Sequence, residues 1–179
     1  LLPDAKLVVL LRDPVRRAYS HYWHERDKGR EPLSFEDAIA AESERLGNSE
    51  QRLGDGTLAR SREHQHFSYL ARGRYAEQLD RWFAVFPRGR FLVLRFEDLA
   101  REPLQALNVT LDFLELPRAE SVSLEARNAR KYPPLAEATA ARLREYFEPH
   151  NQRLEALLGR PMRWSAGAML NPAAGCNAP

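Results

Sequence analysis

The sequence predicts an α/β protein built on a mostly parallel sheet, and three observations carry that reading. Two short apolar runs, KLVVLL at Lys6 to Leu11 and FLVLR at Phe91 to Arg95, have the composition of strands buried on both faces. Stretches with apolar residues at helical spacing lie between and after them, the order of an α/β chain. The 179 residues suffice for one domain with its own core and are short for two. Two strands make an incomplete sheet, so further strands are expected elsewhere in the chain or ahead of Leu1.

After the first run, Asp13 stands where an N-cap would and Pro14 at the first helical position, which predicts a helix to about Lys28. Within it Val15, Ala18, Tyr19 and Tyr22 form one stripe, expected to pack on the sheet, with Asp13, Arg17, Ser20 and His24 on the opposite side. SFEDAIAAESERL, Ser34 to Leu46, opens with Ser34 and Asp37 in a capping-box pattern and predicts a second helix. The polar stretch from Gly47 to Ser68 lacks periodicity and reads as a long connection with one helical turn. Tyr75, Leu79, Trp82, Phe83 and Phe86 then fall at helical spacing up to Pro87. Beyond the second strand, Pro103 opens a helix ending near Leu116. A long amphipathic helix follows, with Pro149 inside it, where a kink or break is expected. The tail from residue 165 to 179 is small, Pro- and Gly-bearing, and is expected to be disordered.

Lys and Arg number 27 against 25 Asp and Glu, a formal charge of +2, so anion binding has to be local and nucleic acid is not an expected partner. The lone Cys176 excludes a disulfide within the chain and a cysteine zinc site, which favours a reducing, cytoplasmic location. No apolar run approaches the roughly 20 residues of a membrane span. His21, His24 and Glu25 lack the H-E-x-x-H spacing, so no metal is expected. Asn108-Val109-Thr110 has the form of a glycosylation sequon but lies in a predicted helix and reads as chance. Trp23, Trp82 and Trp164 read as packing residues.

The stretch RDPVRRAYSHYWH, Arg12 to His24, carries the chemistry. An arginine at the C-terminal end of a buried strand stands at the edge where open α/β sheets take ligands. Its planar fork suits a phosphate. Ser20 follows eight residues later, about 12 Å along a helix axis, a gap that a long arginine side chain largely closes. Arg12 and Ser20 together are suited to holding one phosphate.

Arg12-x7-Ser20 on a strand-to-helix turn resembles the 3′-phosphate-binding segment of the sulfotransferases that use 3′-phosphoadenosine-5′-phosphosulfate (PAPS). The resemblance continues in RGRYAEQLDRWFAVFPRGRFLVLRFEDLAREP, in FLELP, and in ARKYPPL with LREYFEPHNQRLEALLGRPMRW, which is similar to heparan sulfate-type and bacterial carbohydrate sulfotransferases. It covers roughly residues 6–28 and 72–164. It implies a P-loop-NTPase-like parallel sheet flanked by helices, and sulfuryl transfer from PAPS to a hydroxyl or amine acceptor, with a glycan foremost. Arg12, Ser20, Arg130, Lys131 and Tyr132 would bind the donor, and His24 matches a histidine near the reaction in N-sulfotransferase relatives. The family's N-terminal strand, phosphosulfate loop and helix have no counterpart here, and the catalytic base is expected with them. Residues 1–164 therefore look like the C-terminal two-thirds of a sulfotransferase domain, expected to lack turnover alone. Asn128-Ala129 replaces the Lys-Gly of N-sulfotransferases, which leaves N- and O-sulfation open. A non-catalytic anion-binding module using Arg12, Arg16 and Arg17 is the alternative.

Overall fold

The computed structural model describes residues 4–123 and 132–164. These fall into two compact units, one comprising residues 4–13, 79–123, 132–134 and 159–164, the other residues 14–78 and 135–158. The first unit holds both strands, β1 (Leu7–Leu11) and β2 (Phe91–Arg95), which pair in parallel from Leu7 opposite Phe91 to Leu11 opposite Arg95. Both coincide with the apolar runs read from the sequence. Burial on both faces does not hold for β1. Leu11 is buried while Val8 and Leu10 are 45% and 46% exposed, because the two-residue period puts them on the opposite face from Leu11. That face is partly open among the described residues.

In the same unit β2 runs into α7 (Phe96–Arg101) and α8 (Pro103–Leu114), which starts on proline as expected. α8 ends at Glu115 in the left-handed conformation, with φ of 60°. Its amide donates to the carbonyls of Asp112 and Leu111. The sequon residue Asn108 is engaged, its side-chain amide exchanging two hydrogen bonds with the backbone of Ala119 at 3.0 and 2.8 Å.

The second unit is helical. It contains α1 (Pro14–Asp27), α2 (Phe35–Ala40), α3 (Glu42–Leu46), α4 (Ser49–Gly54), α5 (Arg62–Phe67) and α9 (Glu137–Leu158). α6 (Tyr75–Phe83) begins in this unit and ends in the other. The stripe on α1 enters a helical core rather than the expected sheet. Val15, Ala18 and Tyr22 cluster with Phe35, Ala38 and Ile39 of α2, Tyr69, and Leu143 and Phe147 of α9. Tyr22 also donates its hydroxyl to the Leu33 carbonyl at 3.0 Å, so its polar end is satisfied inside.

Three local expectations are corrected. The predicted helix from Ser34 to Leu46 breaks at Ala41, although Ser34 caps its start as read, its Oγ accepting from the Asp37 amide at 3.2 Å. The break falls just before Glu42, whose buried carboxylate accepts from the amides of Leu70 and Ala71 at 2.7 and 2.8 Å. The connection from Gly47 to Ser68 contains two short helices, α4 and α5, and Ser61 caps the second through the His64 amide. α9 runs unbroken past Pro149, held on either side of it by buried Phe147 and Leu154. Trp82 of α6 is 50% exposed with its ring against Phe86, a packing residue at the surface, while Tyr75 and Leu79 are buried. The tail at 165–179 lies outside the described residues.

Candidate functional site

β1 ends at Leu11, and the chain passes through Arg12 and Asp13 into α1 at Pro14. Arg12 is half-buried and lays its guanidinium over the Phe96 ring, 5.0 Å from the centroid. Arg12 and Phe96 each follow by one residue the last register pair of the two strands, Leu11 opposite Arg95. The Asp13 amide donates to Glu97 Oε1 at 2.9 Å, and the other oxygen of that carboxylate accepts from the Trp164 indole N–H at 3.1 Å. Arg160 donates to the Val93 carbonyl of β2. Arg95 lies 3.8 Å from Asp98.

On α1, in the second unit, Ser20 is half-buried, and His24 stands one turn beyond it on the same face with its side chain 44% exposed. Arg17, read from sequence with this polar face, donates to the Tyr69 carbonyl and thereby ties α1 to the core. His24 Nε2 lies 3.8 Å from Glu25 Oε1. Glu25 is buried, with Arg30 Nε at 2.5 Å and His66 Nδ1 at 3.0 Å on its other oxygen, and His21 Nε2 at 3.8 Å. Burial would raise the Glu25 pKa. The Arg30 hydrogen bond and charge, with His66 and His21, outweigh it and hold the carboxyl below its usual range. Burial, then the charges of Arg17 and Arg72, push His21 down to about 4.

A second buried carboxylate organises the same unit. Glu31 accepts from Arg45 at 2.6 and 3.2 Å, from the Tyr69 hydroxyl at 2.7 Å and from the Leu33 amide at 3.0 Å. Burial acts to raise its pKa, and these bonds bring it below the ordinary carboxylate value. Both oxygens are satisfied, which makes this a structural node.

Of the residues read from sequence as a site, Arg12 belongs to the first unit and Ser20 and His24 to the second. Tyr132 is half-buried in the first unit, and Arg130 and Lys131 lie outside the described residues. Sequence reasoning missed Glu97, Trp164, Glu25 and His66. Glu97 and Trp164 stand inside the quoted blocks FEDL and RPMRW, so their positions were visible and their partners were not. Glu25 followed His24 with no local sign of burial.

No helix among the described residues is long and apolar enough to cross a membrane. The chain is 26% identical to a protein named membrane-associated sulfotransferase kil1 from Dictyostelium discoideum, over 91% of this chain and 48% of that protein. It is 30% identical to human carbohydrate sulfotransferase 15, over 87% of this chain and 30% of the relative. Human heparan sulfate glucosamine 3-O-sulfotransferase 6 shows 28% identity over 90% of this chain and 50% of its own length. The chain thus spans half or less of the curated relatives it matches. Among solved structures, the sulfotransferase from Alicyclobacillus acidocaldarius superposes with a TM-score of 0.66 at 33% identity, covering 90% of this chain and 58% of that one. The P-loop-NTPase-like α/β class read from the sequence therefore holds. Residues 1–137 match the model of the family described as the sulfotransferase domain. With its strand-to-helix junction, parallel pair and solved relative all in agreement, this chain belongs to that family.

Proposed function

We infer that this chain contributes the nucleotide-holding part of a sulfotransferase that moves a sulfuryl group from PAPS to a hydroxyl or amine, with a glycan as the acceptor class. The observation that carries the reading is Arg12, half-buried just past the C-terminal end of a parallel strand with its guanidinium over the Phe96 ring. A guanidinium offers a planar pair of donors to a phosphate. The residue types fit the donor's 3′-phosphate, with the fork of Arg12 and the hydroxyl of Ser20 as its ligands. Arg130, Lys131 and Tyr132 would line the nucleotide from the segment ahead of Pro133.

When bound, PAPS supplies the activated sulfuryl group and leaves as adenosine 3′,5′-bisphosphate. What the chain's own residues do is bind, orient and hold charge. His24, exposed beside the buried Glu25 carboxylate, is suited to exchanging a proton with the acceptor. The glycan assignment is supported by relatives named for carbohydrate and heparan sulfate acceptors.

Calorimetric titration of adenosine 3′,5′-bisphosphate and of AMP into the chain tests the reading, with Arg12→Ala and Ser20→Ala beside the wild type. The bisphosphate should bind more tightly than AMP. Each substitution should weaken it by roughly tenfold or more, the worth of a charge-assisted hydrogen bond. Equal affinity for the two nucleotides in the folded wild type would remove the 3′-phosphate site.

A further inference from the structure

Glu97 carries no role in the reading above, yet it sits beside the residue on which that reading depends. Its two oxygens accept from two groups far apart in the chain, the Asp13 amide at 2.9 Å and the Trp164 indole N–H at 3.1 Å. The Asp13 amide is part of the peptide unit that begins at the Arg12 carbonyl. Fixing that planar unit limits the directions in which the Arg12 side chain can leave the backbone. Phe96, the residue before Glu97, lies under the Arg12 guanidinium. Two consecutive residues at the start of α7 therefore hold both ends of Arg12, the backbone through Glu97 and the head through Phe96.

The other oxygen draws in a separate segment. Trp164 reaches Glu97 in α7, and Arg160 of the same stretch reaches the Val93 carbonyl in β2, so the residues after α9 are tied to both β2 and the helix that follows it. A carboxylate bridging two N–H donors is sensitive to loss of either one. Removing the carboxylate takes from both donors the acceptor seen here, at a bend between strand and helix.

We propose that Glu97 is a positioning residue for the donor nucleotide, clamping Asp13 and Trp164 so that Arg12 stays oriented to read the 3′-phosphate. The inference rests on the donor reading given above. It differs from a purely structural tether in what it predicts. A tether that only stabilises the fold affects all nucleotides alike, whereas Glu97 acts on the preference for a 3′-phosphate.

The test is titration of the full chain with adenosine 3′,5′-bisphosphate and with AMP, using wild type, Glu97→Gln, Glu97→Ala, Arg12→Ala and Arg12→Ala/Glu97→Ala, with circular dichroism as the check of folding. Glu97→Ala should weaken the bisphosphate by about tenfold, as for one lost charge-assisted bond, and AMP by less than about twofold. In the Arg12→Ala background the same change should have no further effect on the bisphosphate, because the residue it orients is gone. Glu97→Gln retains one acceptor and should fall between wild type and alanine. It carries the test if the alanine variant does not fold. Equal weakening of both nucleotides, unchanged selectivity, or a full additional loss in the Arg12→Ala background overturns the positioning role while leaving the donor site standing. A folded wild type with no preference for the bisphosphate overturns the donor reading, and this inference with it.

Discussion

A single methyl group added at Gly73 should destabilise the helical unit measurably. A Cβ built there lies 2.6 Å from Phe147 Cε1, 2.7 Å from Phe147 Cζ and 3.1 Å from Pro14 Cβ. Carbon atoms pack best at about 3.5–4.0 Å, so the overlap with the ring is close to 1 Å. The ring has little room to yield. Phe147 is fully buried, Tyr146 packs edge-on to it at 4.9 Å, and Val15, Tyr22 and Leu143 belong to the same cluster. The Gly73 backbone is also held, its amide donating to the Leu70 carbonyl at 2.8 Å. Overpacking of this kind costs about 1–3 kcal/mol. For a chain of this length each kcal/mol lowers the melting midpoint by about 2–4 °C, so Gly73→Ala should melt about 2–12 °C below wild type. Thermal unfolding followed by circular dichroism reads this directly. Phe147→Leu shortens the obstructing ring, so the double variant Gly73→Ala/Phe147→Leu should be more stable than the sum of the two losses predicts. A Gly73→Ala protein melting within about 1 °C of wild type, or strict additivity in the double variant, refutes the steric argument.

Two further outcomes follow from the buried carboxylates and their neighbours. Arg45→Ala leaves the Glu31 charge with only the Tyr69 hydroxyl and the Leu33 amide, and should cost about 3–5 kcal/mol in urea unfolding. Adding Glu31→Gln should recover part of that loss, and no recovery would place the effect elsewhere. His21 is held down to about 4 from an ordinary 6.5, so the unfolded chain takes up its proton first as the solution is acidified. The stability gained by keeping this ring neutral is therefore complete above about 6.5 and is lost as pH falls toward 4, with a slope of up to about 1.4 kcal/mol per pH unit. Urea midpoints measured across that window should fall less steeply in His21→Gln than in wild type, and parallel profiles would contradict the assignment.

What was legible in the sequence was local. The apolar runs at Leu7–Leu11 and Phe91–Arg95 became strands, Pro14 and Pro103 opened helices, and Ser34 capped α2, because each signal lies within a few residues of its consequence. The position of Arg12 at a strand end was equally local. What was hidden pairs across distance. Glu31 meets Arg45 at a separation of 14, Glu42 meets the Leu70 amide at 28, Glu25 meets His66 at 41, and Glu97 meets the Asp13 amide at 84. Nothing in the residues flanking these carboxylates distinguishes them from solvated acids. The helices of the Gly47–Ser68 connection were missed for a related reason: neither α4 nor α5 is long enough to show a period, and α5 has no buried residue.

Two of these hidden carboxylates, Glu97 and Glu42, share a task that backbone accounting explains. A peptide N–H leaving a strand ladder or standing in the first turn of a helix has no partner in either element, and inside a protein it must still find an acceptor. Asp13 is at such a place between β1 and α1, and Leu70 and Ala71 stand at another, just ahead of the Arg72-Gly73-Arg74-Tyr75 block. Glu97 answers the first and Glu42 the second, each brought from a distant part of the chain. A bend that presents a side chain such as Arg12 at a sheet edge exposes backbone donors by its nature. The acceptor that meets them also fixes the direction of the bend. Glu97 thus completes the hydrogen bonding of the bend that carries Arg12, and a substitution there tests that structural part together with the proposed orientation of Arg12.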